Sequence, residues 1–222
     1  MNLQPVTRIW LLLFALTILL TSGCSRTVTQ MPTRSNELKM EIELNGTADV
    51  QNNRYFVIFS TTESYQIPLP PPNSLDEFLE PGDDPQPGTT TKEGYYAKYY
   101  STWSGYVVID NFGYTFVKGP FLLNTQASRE TIANLGDLSN KLSFIINLET
   151  IFGSNIPNNV YFDIVTVSYP PNLKKVPQDI ISPPTYKFET ISGTILPKSD
   201  VDDPSSNITP SLNIINWTVT LE

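Results

Sequence analysis

The stretch Leu38-Lys39-Met40-Glu41-Ile42-Glu43-Leu44 alternates apolar and charged residues without a break. Successive side chains of an extended chain point to opposite faces, so this pattern makes one face apolar and the other wet. A helix would scatter the same residues around its circumference. The reading is a half-buried β-strand of an antiparallel sheet. Arg54–Thr61 is apolar, β-branched and aromatic, which fits a more buried strand. Tyr106–Asp110 and Tyr114–Lys118 flank Asn111-Phe112-Gly113, a hairpin signal whose glycine is free to take positive φ. Leu142–Leu148, Val160–Ser168, Tyr186–Ile195 and Leu212–Leu221 complete the set. One helix of one or two turns is expected near Ser128–Leu135, stopped at Gly136. The fold class is all-β: an antiparallel β-sandwich of about eight strands with long Pro-rich loops, forming a single domain over residues 37–222.

Three gaps between strands are long. Residues 63–94 hold Pro68, Pro70, Pro71, Pro72, Pro81, Pro85 and Pro87. Residues 169–184 hold Pro170, Pro171, Pro177, Pro183 and Pro184, and residues 197–210 run from Pro197 to Pro210 through Asp200, Asp202 and Asp203. Proline has no N–H to give a ladder, so these gaps are not central strands. Loops of this length in a compact domain are usually functional or disordered. If every connection reverses the chain, those after strands two, four and six gather at one end, beside the start of strand one.

The amino terminus has a different character. Arg8 precedes an apolar run, Ile9–Leu20, and then comes Leu20-Thr21-Ser22-Gly23-Cys24. A membrane-spanning helix needs about 20 apolar residues, more than this run supplies. A positive start, a short apolar core and small residues at a cleavage site make a secretory signal. The Ser-Gly-Cys ending resembles a bacterial lipoprotein lipobox, with Thr21 where a leucine is commoner. The resemblance covers only the signal and lipobox; no family is recognised for the mature domain. It implies that residues 1–23 are removed and that Cys24 carries acyl chains, palmitate among them. Residues 24–36 are then the lipidated cysteine and a flexible tether. Ser25 in place of aspartate implies the outer membrane in a Gram-negative envelope. The implied membrane contact is the lipid on Cys24.

Cys24 is the only cysteine and there is no histidine. That excludes an intrachain disulfide, Ser-His-Asp and Cys-His nucleophiles, and Cys/His zinc sites. The net charge is −8, and −9 once Arg8 leaves with the signal. A nucleic-acid partner is not expected, because its phosphates would be repelled. No cofactor is implied.

Three groups of residues are candidates for chemistry or binding. Tyr95, Tyr96, Tyr99, Tyr100, Trp103 and Tyr106 form a dense aromatic run. Within it Tyr99, Tyr100 and Trp103 are candidate ligand-binding residues, since Tyr and Trp offer rigid area with a polar tip for a sugar ring or a protein. Equally, they fit strand residues that pack across a sheet. Asp76, Glu77, Glu80, Asp83 and Asp84 cluster in the first long loop, as do Asp200, Asp202 and Asp203 in the third. Such oxygens can hold calcium, but neither stretch follows the EF-hand spacing, and a solvated acidic loop is the plainer account. Asp110 and Asp163 stand among apolar neighbours. As a facing pair they would serve glycoside hydrolysis. The expectation is a lipid-anchored, non-catalytic interaction or structural module, its long loops touching an envelope protein. The alternatives are a glycan-binding module and, last, a carboxylate-dependent hydrolase.

Overall fold

In the computed structural model, which describes residues 36–181, 186–191, 193–199 and 207–222, the alternating stretch is strand β1 (Glu37–Leu44). Leu38, Met40, Ile42 and Leu44 point into the core, while Lys39, Glu41 and Glu43 face outward. The signal segment, Cys24, the tether up to residue 35, and Asp200, Asp202 and Asp203 lie outside the described residues.

The described residues form eleven strands in two sheets, paired antiparallel throughout. One sheet has four strands in the order β10 (Ile195–Ser199), β11 (Ile214–Leu221), β1, β6 (Lys141–Asn147). The other runs β5 (Ser128–Ala133), β4 (Gly113–Lys118), β3 (Gly105–Asp110), β2 (Asn53–Ser60), β7 (Asn159–Ser168), β8 (Val176–Ile180). β9 (Tyr186–Glu189) pairs with residues 159–162 of β7, and β8 pairs with residues 165–168. The two therefore lie end to end along one edge of β7.

The main core fills the space between the sheets. Tyr55, Val57 and Phe59 of β2 enter it, while Phe56 and Ile58 face the other way. That second face is also buried, under residues 61–104, which cross it as a third layer. Two-sided burial explains why β2 and β3 read as unbroken apolar runs whereas β1 alternates. The layer carries helix α1 (Lys92–Lys98) and a 3-10 turn, Tyr100–Thr102. It leaves and rejoins the sheet at one point: Ser60 Oγ donates to the Thr102 carbonyl at 2.8 Å, and Ser104 N to the Phe59 carbonyl at 2.8 Å.

Three expectations are corrected. Residues 128–133 form β5, not a helix: they are an exposed edge strand whose conformation comes from pairing with β4 rather than from an apolar pattern. The expected strand 186–195 is two, because β9 belongs to the seven-stranded sheet and β10 to the other. The gathering of long connections at one end also fails. The uncounted β5 reverses the chain once more, so residues 169–175 leave the end where β2 starts (Ser168 pairs with Asn53), whereas residues 61–104 leave where β2 finishes. Pro177 and Pro197 do sit in edge strands, where a missing N–H is tolerated.

The end opposite the start of β1 can be traced from hydrogen bonds and register. Leu44 N donates to the Asn140 carbonyl at 2.8 Å, Ala48 N to that of Ser139 at 2.9 Å, and Tyr169 N to that of Asn52 at 2.8 Å. Ile109 pairs with Tyr55, so the β3–β4 turn lies there too. Asp179, buried in β8, accepts from Ile214 N at 2.7 Å and ties the two sheets together at this end.

The α2 helix (Leu148–Phe152) follows β6 directly. Each sheet edge carries a feature that opposes further strand addition. β10 has Pro197 and Lys198, β8 has Pro177, and β5 is charged at Arg129 and Glu130. On β6, Ser139 Oγ accepts from Lys141 N at 3.0 Å and donates to the Lys141 carbonyl at 2.9 Å, while Ser143 N donates to the Tyr114 hydroxyl at 3.3 Å.

Candidate functional site

The aromatic run starts at α1. Thr91 caps that helix, its Oγ1 accepting from Gly94 N at 3.1 Å. Residues three and four apart share a helix face, which brings Tyr95 against Tyr99 in a tilted contact and Tyr96 against Tyr100 edge-on, with ring centroids 4.6 and 4.7 Å apart. Trp103 meets the Tyr100 ring edge-on at 5.1 Å and stacks on Phe78 at 5.7 Å. Edge and tilted contacts suit the aromatic quadrupole. Tyr99 and Tyr100 are each 1 % exposed and Trp103 is 4 % exposed. The three candidate ligand-binding residues thus come together in one buried cluster, their rings meeting neighbouring rings edge-on or tilted under the sheet's second face. They are helix and turn residues, not strand residues.

Their polar tips are all used on the layer's own backbone and side chains. Tyr95 accepts from Leu79 N at 3.0 Å, Tyr100 donates to the Leu79 carbonyl at 2.7 Å, and Tyr96 accepts from Gly82 N at 3.2 Å. Trp103 Nε1 donates to the Gln66 carbonyl at 2.7 Å, and Tyr99 donates to Asp76. Burial drives the Tyr95 and Tyr100 hydroxyls well above their ordinary pKa, and Tyr99 up to about 12. At neutral pH they are protonated hydrogen-bonding groups.

The acidic cluster is equally engaged. Glu80 is buried and accepts from Arg54, from Arg129 Nη2 at 2.6 Å and from the Tyr106 hydroxyl at 3.1 Å. Arg54 lies over the Tyr169 ring, 3.8 Å from its centroid, and Tyr169 donates to Asp83. Glu77, also buried, accepts from Gln86 N at 2.6 Å and from Lys175 N at 3.3 Å. Asp84 pairs with Lys92 at 2.9 Å and Asp76 with Lys98 at 2.8 Å. Burial alone would raise the Asp76 carboxyl, but hydrogen bonds from Lys98 and Tyr99 outweigh it and leave the pKa below the ordinary value. The five carboxylates act as ties from residues 76–84 to neighbouring segments. No cluster of His, Cys, Asp and Glu suited to a metal occurs among the described residues. Sequence reading missed the Arg54–Glu80–Arg129 bridge, because its partners are 26 and 49 residues away from Glu80 in the chain.

Asp110 and Asp163 are not brought together. Ile58 pairs with both Tyr106 and Asp163, and Asp110 lies further along β3. Two strands across and four residues along is a separation of roughly 16 Å. A hydrolytic pair needs roughly 5–9.5 Å. Asp163 instead accepts from the Tyr65 hydroxyl under the third layer, and Asp110 Oδ1 accepts from Phe112 N at 2.8 Å.

The outer face of the four-stranded sheet carries a shallow groove of about 340 Å³ lined by Glu43, Pro197, Lys198, Asn216 and Thr218. Glu43 is already bound by Asn216 Nδ2 at 3.2 Å. Among the described residues, the large apolar side chains left exposed are Leu75, Phe112, Leu122, Leu138, Ile145, Leu173 and Ile195. Phe112, Leu138 and Leu173 stand on three connections at the end opposite the start of β1. The chain matches no protein-family model, no curated protein and no solved structure.

Proposed function

We propose that this chain is a lipid-anchored, non-catalytic interaction module of a bacterial envelope, held at Cys24 and sorted to the outer membrane where the host is Gram-negative. One observation carries the interaction reading. Among the described residues the aromatic run is packed inside a layered body and the carboxylates of residues 76–84 are paired with neighbouring segments, while large apolar side chains remain exposed, most of them on loops and turns. Turns held by a rigid scaffold are where proteins place binding residues. The anchor rests on the resemblance of Leu20–Cys24 to a lipobox. Acyl chains on Cys24 plus a short tether would keep the domain at the bilayer surface, since more than one chain is needed for stable anchoring.

Labelling of the full chain with a palmitate analogue in a bacterial host tests the anchor. Wild type is expected to take label and fractionate with membranes, while Cys24→Ser loses both. Unlabelled wild type, or Cys24→Ser that stays on membranes, overturns the anchor. Crosslinking and co-purification from the native envelope tests the module, with a stoichiometric protein partner as the expected result.

A further inference from the structure

We infer that residues 61–104 are a lid that opens as one body about the Ser60–Ser104 junction while the two sheets stay paired. The segment begins and ends at one place. Ser60 Oγ donates to the Thr102 carbonyl and Ser104 N to the Phe59 carbonyl, both at 2.8 Å. A segment fixed at one point can swing without pulling on either sheet, because a few residues at the ends of elements take up the rotation.

The sheets do not need the lid. Among the described residues, every ladder of both sheets joins strands outside 61–104. Away from the junction, one backbone–backbone hydrogen bond crosses from the lid to the rest of the described residues, Phe78 N to the Lys175 carbonyl at 2.9 Å. The remaining polar ties run through side chains: Glu80 to Arg54, Arg129 and Tyr106, Asp83 to Tyr169 and Lys175, Glu77 to Lys175 N, and the Tyr65 hydroxyl to Asp163. Such ties part and re-form without breaking a ladder. Within itself the lid is bound closely. Tyr95 and Tyr100 hold Leu79, Tyr96 holds Gly82, Tyr99 holds Asp76 and Trp103 holds Gln66. Helix α1 and the acidic stretch therefore move together.

Register makes the covered face continuous. Val108, Phe56 and Val165 stand abreast on β3, β2 and β7, and Tyr106, Ile58 and Asp163 form the next row. All six are fully buried. The opposite face of the same strands belongs to the main core, a separate cluster covered by the four-stranded sheet. Opening the lid gives up the second cluster and keeps the first, so it costs less than unfolding the whole domain. The open form is a minor population, and bulk unfolding still reads as one transition. The lid decides when this apolar face meets solvent.

Neighbouring residues of β3 read the two faces separately, since Val108 lies under the lid and Val107 in the main core. Val108→Cys and Val107→Cys, each in the full chain, are reacted with iodoacetamide at urea concentrations below the unfolding transition. Labelling is followed at each position by peptide mass spectrometry, which keeps Cys24 apart. The expected result is labelling at 108 at least ten-fold faster than at 107. Its urea dependence should also be shallower, because opening the lid exposes less surface than global unfolding. Rates within ten-fold of each other, or the same urea dependence at both positions, would show that the lid parts only when the whole domain unfolds, and overturn it. Where either variant lowers the Tm, Ile58→Cys and Val57→Cys on β2 make the same comparison, Ile58 facing the lid and Val57 the main core.

Discussion

The Tyr100 hydroxyl donates to the carbonyl oxygen of Leu79 at 2.7 Å, while the N–H of the same Leu79 donates to Tyr95. Two tyrosines from the aromatic run thus satisfy both backbone groups of one buried loop residue. Removing one partner leaves a buried polar group unpaired. Tyr100→Phe keeps the ring and loses the donor, so it should destabilise by about 1–2 kcal/mol. Trp103→Ala should cost about 3–5 kcal/mol through the cavity it opens. Urea unfolding monitored by circular dichroism measures both. Variants as stable as wild type would mean that the third layer contributes little to the fold.

Glu80 is the hub of charge between that layer and the seven-stranded sheet. Its side chain is 5 % exposed, whereas Arg54 and Arg129 are 26 % and 42 % exposed. Breaking a fully buried pair costs about 3–5 kcal/mol, and the partial exposure of the arginines lowers the expectation to about 2 kcal/mol for Glu80→Gln. A double-mutant cycle with Arg54→Met should give a coupling of the same sign. Additive single effects would show that the bridge is incidental.

Alkali should unfold the protein cooperatively. Burial is the first cause that raises Tyr55 and Tyr99 to about 12, and it carries Tyr95, Tyr100 and Tyr106 well above their ordinary value. A tyrosine whose folded pKa exceeds its unfolded value of about 10 holds its proton more tightly when native. Its contribution is complete below about pH 10 and is lost as the pH climbs towards 12. Tyrosinate absorbance of these five should therefore appear together with loss of circular dichroism. Ionisation of all tyrosines near pH 10, with the sheets intact, would contradict the burial of the aromatic layer.

Gly105 marks where β3 passes under a core ring. An added Cβ would lie 2.8 Å from the Phe116 ring and 3.0 Å from the Val117 carbonyl oxygen. Gly105→Ala should cost about 1–3 kcal/mol by overpacking. Thermal unfolding of the variant checks this, and an unchanged Tm would show that the Phe116 ring has room to move.

How far each element could be read follows from the range of the forces that make it. β1 was legible because its wet face stays wet, so alternation is written in the residues themselves. β2 and the β3–β4 hairpin were legible for the opposite reason: burial on both faces demands unbroken apolar runs. β5 was not, since an exposed edge strand such as Ser128–Ala133 owes its conformation to the β4 ladder. The aromatic run was visible as a feature, but not its placement. Tyr99, Tyr100 and Trp103 became interior because residues 61–104 fold back over a sheet face that Phe56, Ile58 and Tyr106 make apolar. Nor could the acidic stretch 76–84 announce its partners, which come from β2, β5, α1 and the segment after β7.

By itself the chain determined its class: alternating and doubly apolar strands, prolines kept out of central positions, and no second cysteine or histidine for the commoner catalytic sites. Those are local consequences of backbone geometry and side-chain chemistry. Only the tertiary structure decided the interior of the third layer, the separation of Asp110 from Asp163 and the grouping of Phe112, Leu138 and Leu173 at one end. Each depends on the direction in which strands far apart in the chain run past one another, and one unrecognised strand is enough to reverse it.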